Sequence, residues 1–217
     1  MTRSLSIEWP VAGPFRGRGG RPIRLLAVSD EADPALEQAR NRERLGPLDG
    51  VVGAGDLDPD YLAFLGDVFH APLVYVLGNH DRPQAEAYRH LPAALDAKVE
   101  EHFTLPILGL SWAHAGARRD DHGAWWQLLR VGPNVLLRPR PVLVASHVPP
   151  RGAGDGPDRY HHGEDAYRWL LGRLRPPLWL HGHTTLASVA DWRDRVGPTT
   201  LVNVTGSVLV EVVPSRG

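Results

Sequence analysis

The sequence predicts an α/β fold, and two observations carry that prediction. From Ile23 onward, short apolar runs alternate with amphipathic stretches, as when strands of a sheet are joined through covering helices. Five of the runs stop at Asp30, Asp56, Asn79-His80, His147 and His181-Gly182-His183, and open α/β sheets carry their ligand sites at that carboxyl edge.

The run Ile23 to Val28 ends at Ser29-Asp30, and a helix is expected behind Asp33-Pro34, carrying ALEQARNRERL with proline in its first turn. Val51-Val52 is a second short strand, stopping at Gly53-Ala54-Gly55-Asp56, and Leu73 to Leu77 is a third, stopping at Gly78-Asn79-His80-Asp81. A helical stretch is expected from Pro83 to about Ala97, then a strand from Ile107 to Leu110. Between Trp112 and Leu137 lie Trp112, Trp125 and Trp126, whose expected role is core packing, with walling of a substrate cleft as the alternative. Val142 to Ala145 leads to Ser146-His147, a helix follows across Gly163 to Leu174, and Leu178 to Leu180 leads to His181-Gly182-His183. Leu186 to Ala190, Thr200 to Val204 and Val208 to Val213 read as pairing strands. Residues 1–22 are expected to form a flexible arm, because Pro10 to Pro22 is too rich in glycine and arginine to pack. Residues 23–217 then read as a single domain, a length that one core can serve.

Acids and bases nearly balance, giving a formal charge of -1, so no basic field favours a nucleic acid or an anionic membrane. Cysteine is absent, which excludes disulfides, thiolate nucleophiles and cysteine-ligated metals. A bound metal would use His, Asp, Glu or Asn. No stretch reaches the apolar length of a membrane span or a secretory signal, and the expected compartment is the cytoplasm.

Singly, Asp30, Asp56, Asn79 and His147 have ordinary explanations as caps, turn formers or a satisfied core histidine. Their joint placement after successive strands is what points to a metal site. In this order, Asp30, Gly55-Asp56, Gly78-Asn79-His80-Asp81, His147 and Gly182-His183 resemble the motif blocks of the calcineurin-like metallophosphoesterases. Gly-Asn-His-Asp is the most specific block, and SHVPPRGAGDG and LHGH also resemble bacterial members of this length.

The resemblance implies a four-layer α/β/β/α sandwich. It assigns Asp56 as a carboxylate bridging two metals, Asn79, His147 and His183 to the second metal site, and Asp30 to the first. His80 would protonate the leaving oxygen while water activated by metal attacks phosphorus. The family's first motif is Asp-x-His, and here Ala32 stands in place of that histidine. Its last motif is Gly-His-x-His, and here Thr185 ends the block. Both departures weaken the first site.

Asp33, His181 and Thr185 are candidate compensating ligands, with Asp33 also read as a helix N-cap. Mn²⁺ is the expected cofactor, one or two ions, with Mg²⁺, Zn²⁺ or Fe²⁺ as alternatives. Arg151, on a proline-stiffened loop, is a candidate phosphate clamp, and an ordinary surface arginine otherwise. His161 and His162 are candidates to reach a cleft, although exposed loop histidines without a role are the commoner case. RRDDHG from Arg118 reads as a solvated loop.

These features predict a metal-dependent phosphohydrolase acting on a small phosphorylated substrate, a phosphodiester or a phosphomonoester. The competing reading is a binding module of the same fold that holds one metal and a nucleotide or phosphate with little or no turnover. A nuclease is disfavoured by the balanced charge.

Overall fold

Two β-sheets lie face to face in the computed structural model of the chain, which describes residues 2–81, 88–114, 122–133, 135, 140–186 and 191–215. The first sheet runs in the order β1 (Arg3–Trp9), β11 (Gly206–Pro214), β2 (Ile23–Ser29), β3 (Gly50–Ala54) and β4 (Leu73–Val76). The second runs β5 (Lys98–His102), β6 (Leu105–Leu110), β7 (Leu143–Ser146), β8 (Leu178–His181), β10 (Thr199–Asn203) and β9 (Arg193–Val196). β2, β3 and β4 are mutually parallel, as are β6, β7, β8 and β10. Their carboxyl ends can therefore share one edge of the sandwich.

Alternation along each strand builds three apolar layers, because successive side chains point to opposite faces. Leu25 and Ala27 of β2, Leu143 and Ala145 of β7, and Leu178 and Leu180 of β8 join one core between the sheets. Leu26 and Val28 face the other way, onto Leu62 and Leu65 of α2 (Pro59–Phe69). Val144 and Trp179 turn towards Leu128 of α3 (Gly123–Val131) and Leu170 of α4 (Asp165–Leu174). This is the expected α/β/β/α sandwich.

Local signals set the helix starts. Asp33 accepts a hydrogen bond from the Ala35 N–H at 2.9 Å and opens a 3-10 turn at Pro34, and α1 (Ala39–Leu45) follows. Asp58 caps α2 in the same way through the Asp60 N–H. Carboxylate acceptors at these positions satisfy N–H groups that a helix cannot pair internally.

The structure differs from the sequence expectation in four places. Arg3–Trp9, within the expected arm, form β1 and pair in parallel with β11 along its length. Trp9 is fully buried in the inter-sheet core and Phe15 is nearly so, so two aromatic side chains anchor a segment whose glycine content suggested mobility. The helix expected from Pro83 is the second difference. Residues 83–87 lie outside the described residues, and 89–97 run in turns and irregular chain rather than a helix. There the Leu95 and Ala97 N–H groups bond to Tyr75 and Gly109, and Pro92 disfavours a continuous helix.

Third, Trp125 and Trp126 are 42% and 66% exposed. The buried face of α3 is Ala124, Gln127, Leu128 and Val131, spaced as one helical stripe, which leaves the two tryptophans outside the core. Fourth, β5 and β9 are strands of mostly polar sequence at the two edges of the second sheet, where burial on both faces is not required. Residues 187–190 of the expected strand from Leu186, and 118–121 of the expected RRDDHG loop, lie outside the described residues. Among the described residues, no helix is long and apolar enough to cross a membrane.

Candidate metal centre

Strands β2, β3 and β8 each hand the chain to a sharp turn at the site. Asp30, Asp56 and His183 all adopt left-handed backbone conformations, with φ of 58°, 55° and 66°. Residues other than glycine rarely sit there, and such strain collects at functional sites. Two glycines permit the close approach of these turns. A Cβ on Gly78 would stand 2.1 Å from Asp56 Oδ1, and one on Gly182 would stand 2.3 Å from Asp30 Oδ2.

His147, at the end of β7, is fully buried. Its Nδ1 lies 2.9 Å from the Ala54 carbonyl, which requires a proton on that nitrogen and directs Nε2 into the site. Around Nε2 stand Asn79 Oδ1 at 3.0 Å, Asp56 Oδ2 at 3.1 Å and His183 Nδ1 at 3.3 Å. His183 is oriented in the same manner, its Nε2 donating to the Tyr160 carbonyl at 2.8 Å.

In the neutral histidine pair, four electron-pair donors thus converge on one point. The three distances from His147 Nε2 are close to the roughly 3.4 Å that separates neighbouring ligands on a tetrahedral ion at about 2.1 Å. A cation at this point, whether a proton on His147 or a metal, satisfies the cluster. Burial opposes charge on His147, but the hydrogen bond and charge of Asp56, with the charge of Asp30, outweigh it and raise its pKa. Burial likewise opposes ionisation of Asp56, and its bond to His147 and the His80 N–H overcome that and hold its pKa below the usual value. The residues present fit a divalent ion.

Asp30 extends the cluster. One oxygen each from Asp30 and Asp56 and one nitrogen of His147 lie within 4.8 Å of one another, close enough to hold an ion. The Asp30 carboxylate is already well served, however. Its Oδ2 accepts from Ser29 Oγ at 2.5 Å, Thr205 Oγ1 at 3.1 Å and the His183 N–H at 3.0 Å.

A cleft of about 850 Å³ opens over this cluster. Asp30, Asp56, Asn79, His80, His183 and Thr185 line it, joined by Trp112, Arg159, Tyr160 and His161. His80 is exposed there, and its backbone N–H donates to Asp56 Oδ1 at 2.8 Å.

Three residues singled out in the sequence stand elsewhere. Asp33 uses one oxygen as the cap described above and the other to accept from Ser207 Oγ. His181 is buried beneath Gly154, its Nδ1 3.1 Å from the Gly182 carbonyl, and burial pushes its pKa down to about 4. It lies in β8 beyond Trp179, on the helix-facing side, whereas His183 has already left the strand. The Arg151 guanidinium approaches Asp165 at 3.7 Å and does not line the cleft; Arg159 does.

Asp81, the last residue of the Gly78 to Asp81 block, holds the site together through its contacts with the backbone. Its Oδ2 accepts from the backbone N–H groups of Asp56 at 2.9 Å and Gly78 at 2.7 Å, clamping two of the turns together. Its Oδ1 accepts from the Tyr88 hydroxyl. Trp112 takes the cleft-walling role that was its alternative to core packing, whereas Tyr160 carries no local motif that could have marked it.

The fold has relatives among solved structures. TT1561 of Thermus thermophilus is 17% identical, with a TM-score of 0.58 and an alignment covering 85% of this chain and 90% of that one. A proposed 5′-nucleotidase from Staphylococcus aureus, solved in complex with alpha-ketoglutarate, is 13% identical with a TM-score of 0.53, over 85% of this chain and 49% of that one. At these identities the likeness concerns the fold. No curated protein matches the sequence. The sequence pattern of the calcineurin-like phosphoesterases matches residues 41–185, well over half of the chain and inclusive of Asp56, the Gly78 to Asp81 block, His147 and His183. The chain belongs to the calcineurin-like phosphoesterase family.

Proposed function

We propose that the chain is a metal-dependent hydrolase of small phosphate esters. Members of its family bind divalent metals, and here Asp56, Asn79, His147 and His183 would hold the more tightly bound ion, with Asp30 and Asp56 offering a weaker second position. Mn²⁺ is the ion proposed, since a carboxylate, an amide and two imidazoles suit it, with Zn²⁺ and Fe²⁺ as alternatives. When bound, such an ion supplies positive charge to the phosphoryl oxygens and lowers the pKa of a water molecule.

The remaining work falls to side chains of the cleft. His80, exposed at its floor and tied through its backbone to Asp56, would give a proton to the leaving oxygen. Gly78 and Asp81 would fix the turn that presents Asn79 and His80. The observation that carries the reading is the convergence of Asn79, Asp56 and His183 donor atoms within 3.3 Å of His147 Nε2.

A second reading, a binding module with one ion and little turnover, is favoured by Asp30. Ser29, Thr205 and the His183 N–H satisfy its carboxylate without any ion, and the family's two neighbouring histidines are Ala32 and Thr185 here. Elemental analysis of metal per chain, with hydrolysis of bis(p-nitrophenyl) phosphate and p-nitrophenyl phosphate with and without Mn²⁺, separates the two. Manganese-dependent turnover of either ester is expected. One tightly held ion with no turnover of any phosphate ester would overturn hydrolysis in favour of binding.

A further inference from the structure

The wall of the cleft is a turn whose chemistry the metal cluster does not use. Asp158 Oδ1 accepts from the backbone N–H groups of Tyr160 at 2.8 Å and His161 at 3.2 Å, while its Oδ2 lies 2.7 Å from His161 Nδ1. The Gly156 N–H donates to the His161 carbonyl, closing the turn. The Tyr160 carbonyl receives the His183 Nε2–H, so the turn is tied directly to the metal cluster. His161 and His183 have ring centroids 6.0 Å apart.

A carboxylate on Nδ1 fixes the tautomer and plane of an imidazole and leaves Nε2 as the atom that can meet a ligand. The bond from His161 and the Tyr160 N–H hold the Asp158 carboxyl down to about 2, so the brace stays ionised at neutral pH. Arg159, between the two, lines the same cleft. It adds a planar guanidinium suited to paired oxygens.

We propose that Arg159 and His161 form a subsite for the extra oxygen and charge of a phosphate monoester, with Asp158 as the positioning residue. This rests on the reading of the cleft as a phosphoesterase site and names its substrate class. A diester has two non-bridging oxygens and one negative charge, which the ion and His80 can serve. A monoester offers a third non-bridging oxygen and a second charge, the match for a guanidinium and an imidazole nitrogen. Arg151, 3.7 Å from Asp165, is the control for a nearby arginine outside the cleft.

The test uses the Mn²⁺-loaded full chain and three readouts: inorganic phosphate affinity by calorimetry, kcat/KM on p-nitrophenyl phosphate against bis(p-nitrophenyl) phosphate, and metal content. Arg159→Gln and His161→Gln are each expected to weaken phosphate binding and monoester kcat/KM by about tenfold or more, from the loss of a charge-assisted bond. Diester hydrolysis should change by less than about threefold, metal content should not change, and Arg151→Gln should leave every readout unaltered. Asp158→Asn should shift the ¹⁵N resonances of His161 towards another tautomer, a change that a merely structural role for Asp158 would not produce.

Unaltered phosphate affinity in both cleft variants, or equal losses on the two esters, overturns the subsite. Wild-type protein that hydrolyses neither ester, yet loses phosphate binding in these variants, keeps the subsite and overturns hydrolysis. Diester turnover with unaltered variants does the reverse.

Discussion

His183 Nδ1 stands 3.3 Å from His147 Nε2, and each imidazole gives its other nitrogen to a backbone carbonyl, Tyr160 for His183 and Ala54 for His147. Two neutral rings so oriented repel through their lone pairs, and a cation between them removes the conflict. Metal binding should therefore stabilise the fold. With Mn²⁺ at a hundred times its dissociation constant, the unfolding free energy should rise by about 2.7 kcal/mol. Asp56→Asn should abolish most of that gain, read as the shift of the thermal midpoint with and without Mn²⁺, and an undiminished shift would remove Asp56 from the ligand set.

His80→Ala addresses the proposed acid. Its side chain is exposed and only its backbone contacts Asp56, so metal content and melting temperature should hold while kcat falls by about a hundredfold or more. Full activity in this variant would mean that the leaving group takes its proton elsewhere.

Gly78→Ala is a small change with a large expected effect. The new methyl group would lie 2.1 Å from Asp56 Oδ1 and 2.7 Å from the Asp56 backbone nitrogen, so the turn or the carboxylate must shift. Metal affinity should drop by about tenfold or more, as for changes that displace a ligand's support. Equilibrium dialysis with Mn²⁺ checks this.

Ala32→His with Thr185→His restores the family's two histidines. Thr185 already lines the cleft and Ala32 follows Asp30 by two residues. Bound metal per chain should rise, and an unchanged metal content would mean that the two histidines do not rebuild that position.

Trp9→Ala tests the amino-terminal strand. Removing a fully buried tryptophan from the inter-sheet core should cost about 3–5 kcal/mol by chemical denaturation. A loss under about 1 kcal/mol would mean that β1 contributes little to the fold, as an arm would.

Much of this molecule is legible in one dimension, because the physics involved is local. Strands β2, β3, β4, β6, β7 and β8 follow from apolar runs of the right length. The start near Asp33-Pro34 and the helix before Leu174 follow from capping and periodicity, and the glycine-polar exits mark the sheet edge. Asp30, Asp56, Asn79, His80, His147 and His183 could be named together since strand, turn and ligand type recur in register.

What tertiary structure decided is everything that depends on partners distant in sequence. The strand Arg3–Trp9 exists because β11, at the far end of the sequence, supplies its hydrogen bonds. Asp33 and His181 have ligand chemistry, but Ser207 and Gly154 occupy one and cover the other. Arg151 and Arg159 carry the same guanidinium chemistry, the sequence favoured Arg151, and only the path of the loop sends that one to Asp165 and the other to the cleft. Residue type determines what a side chain can do, and long-range packing determines which of the eligible side chains reaches the site.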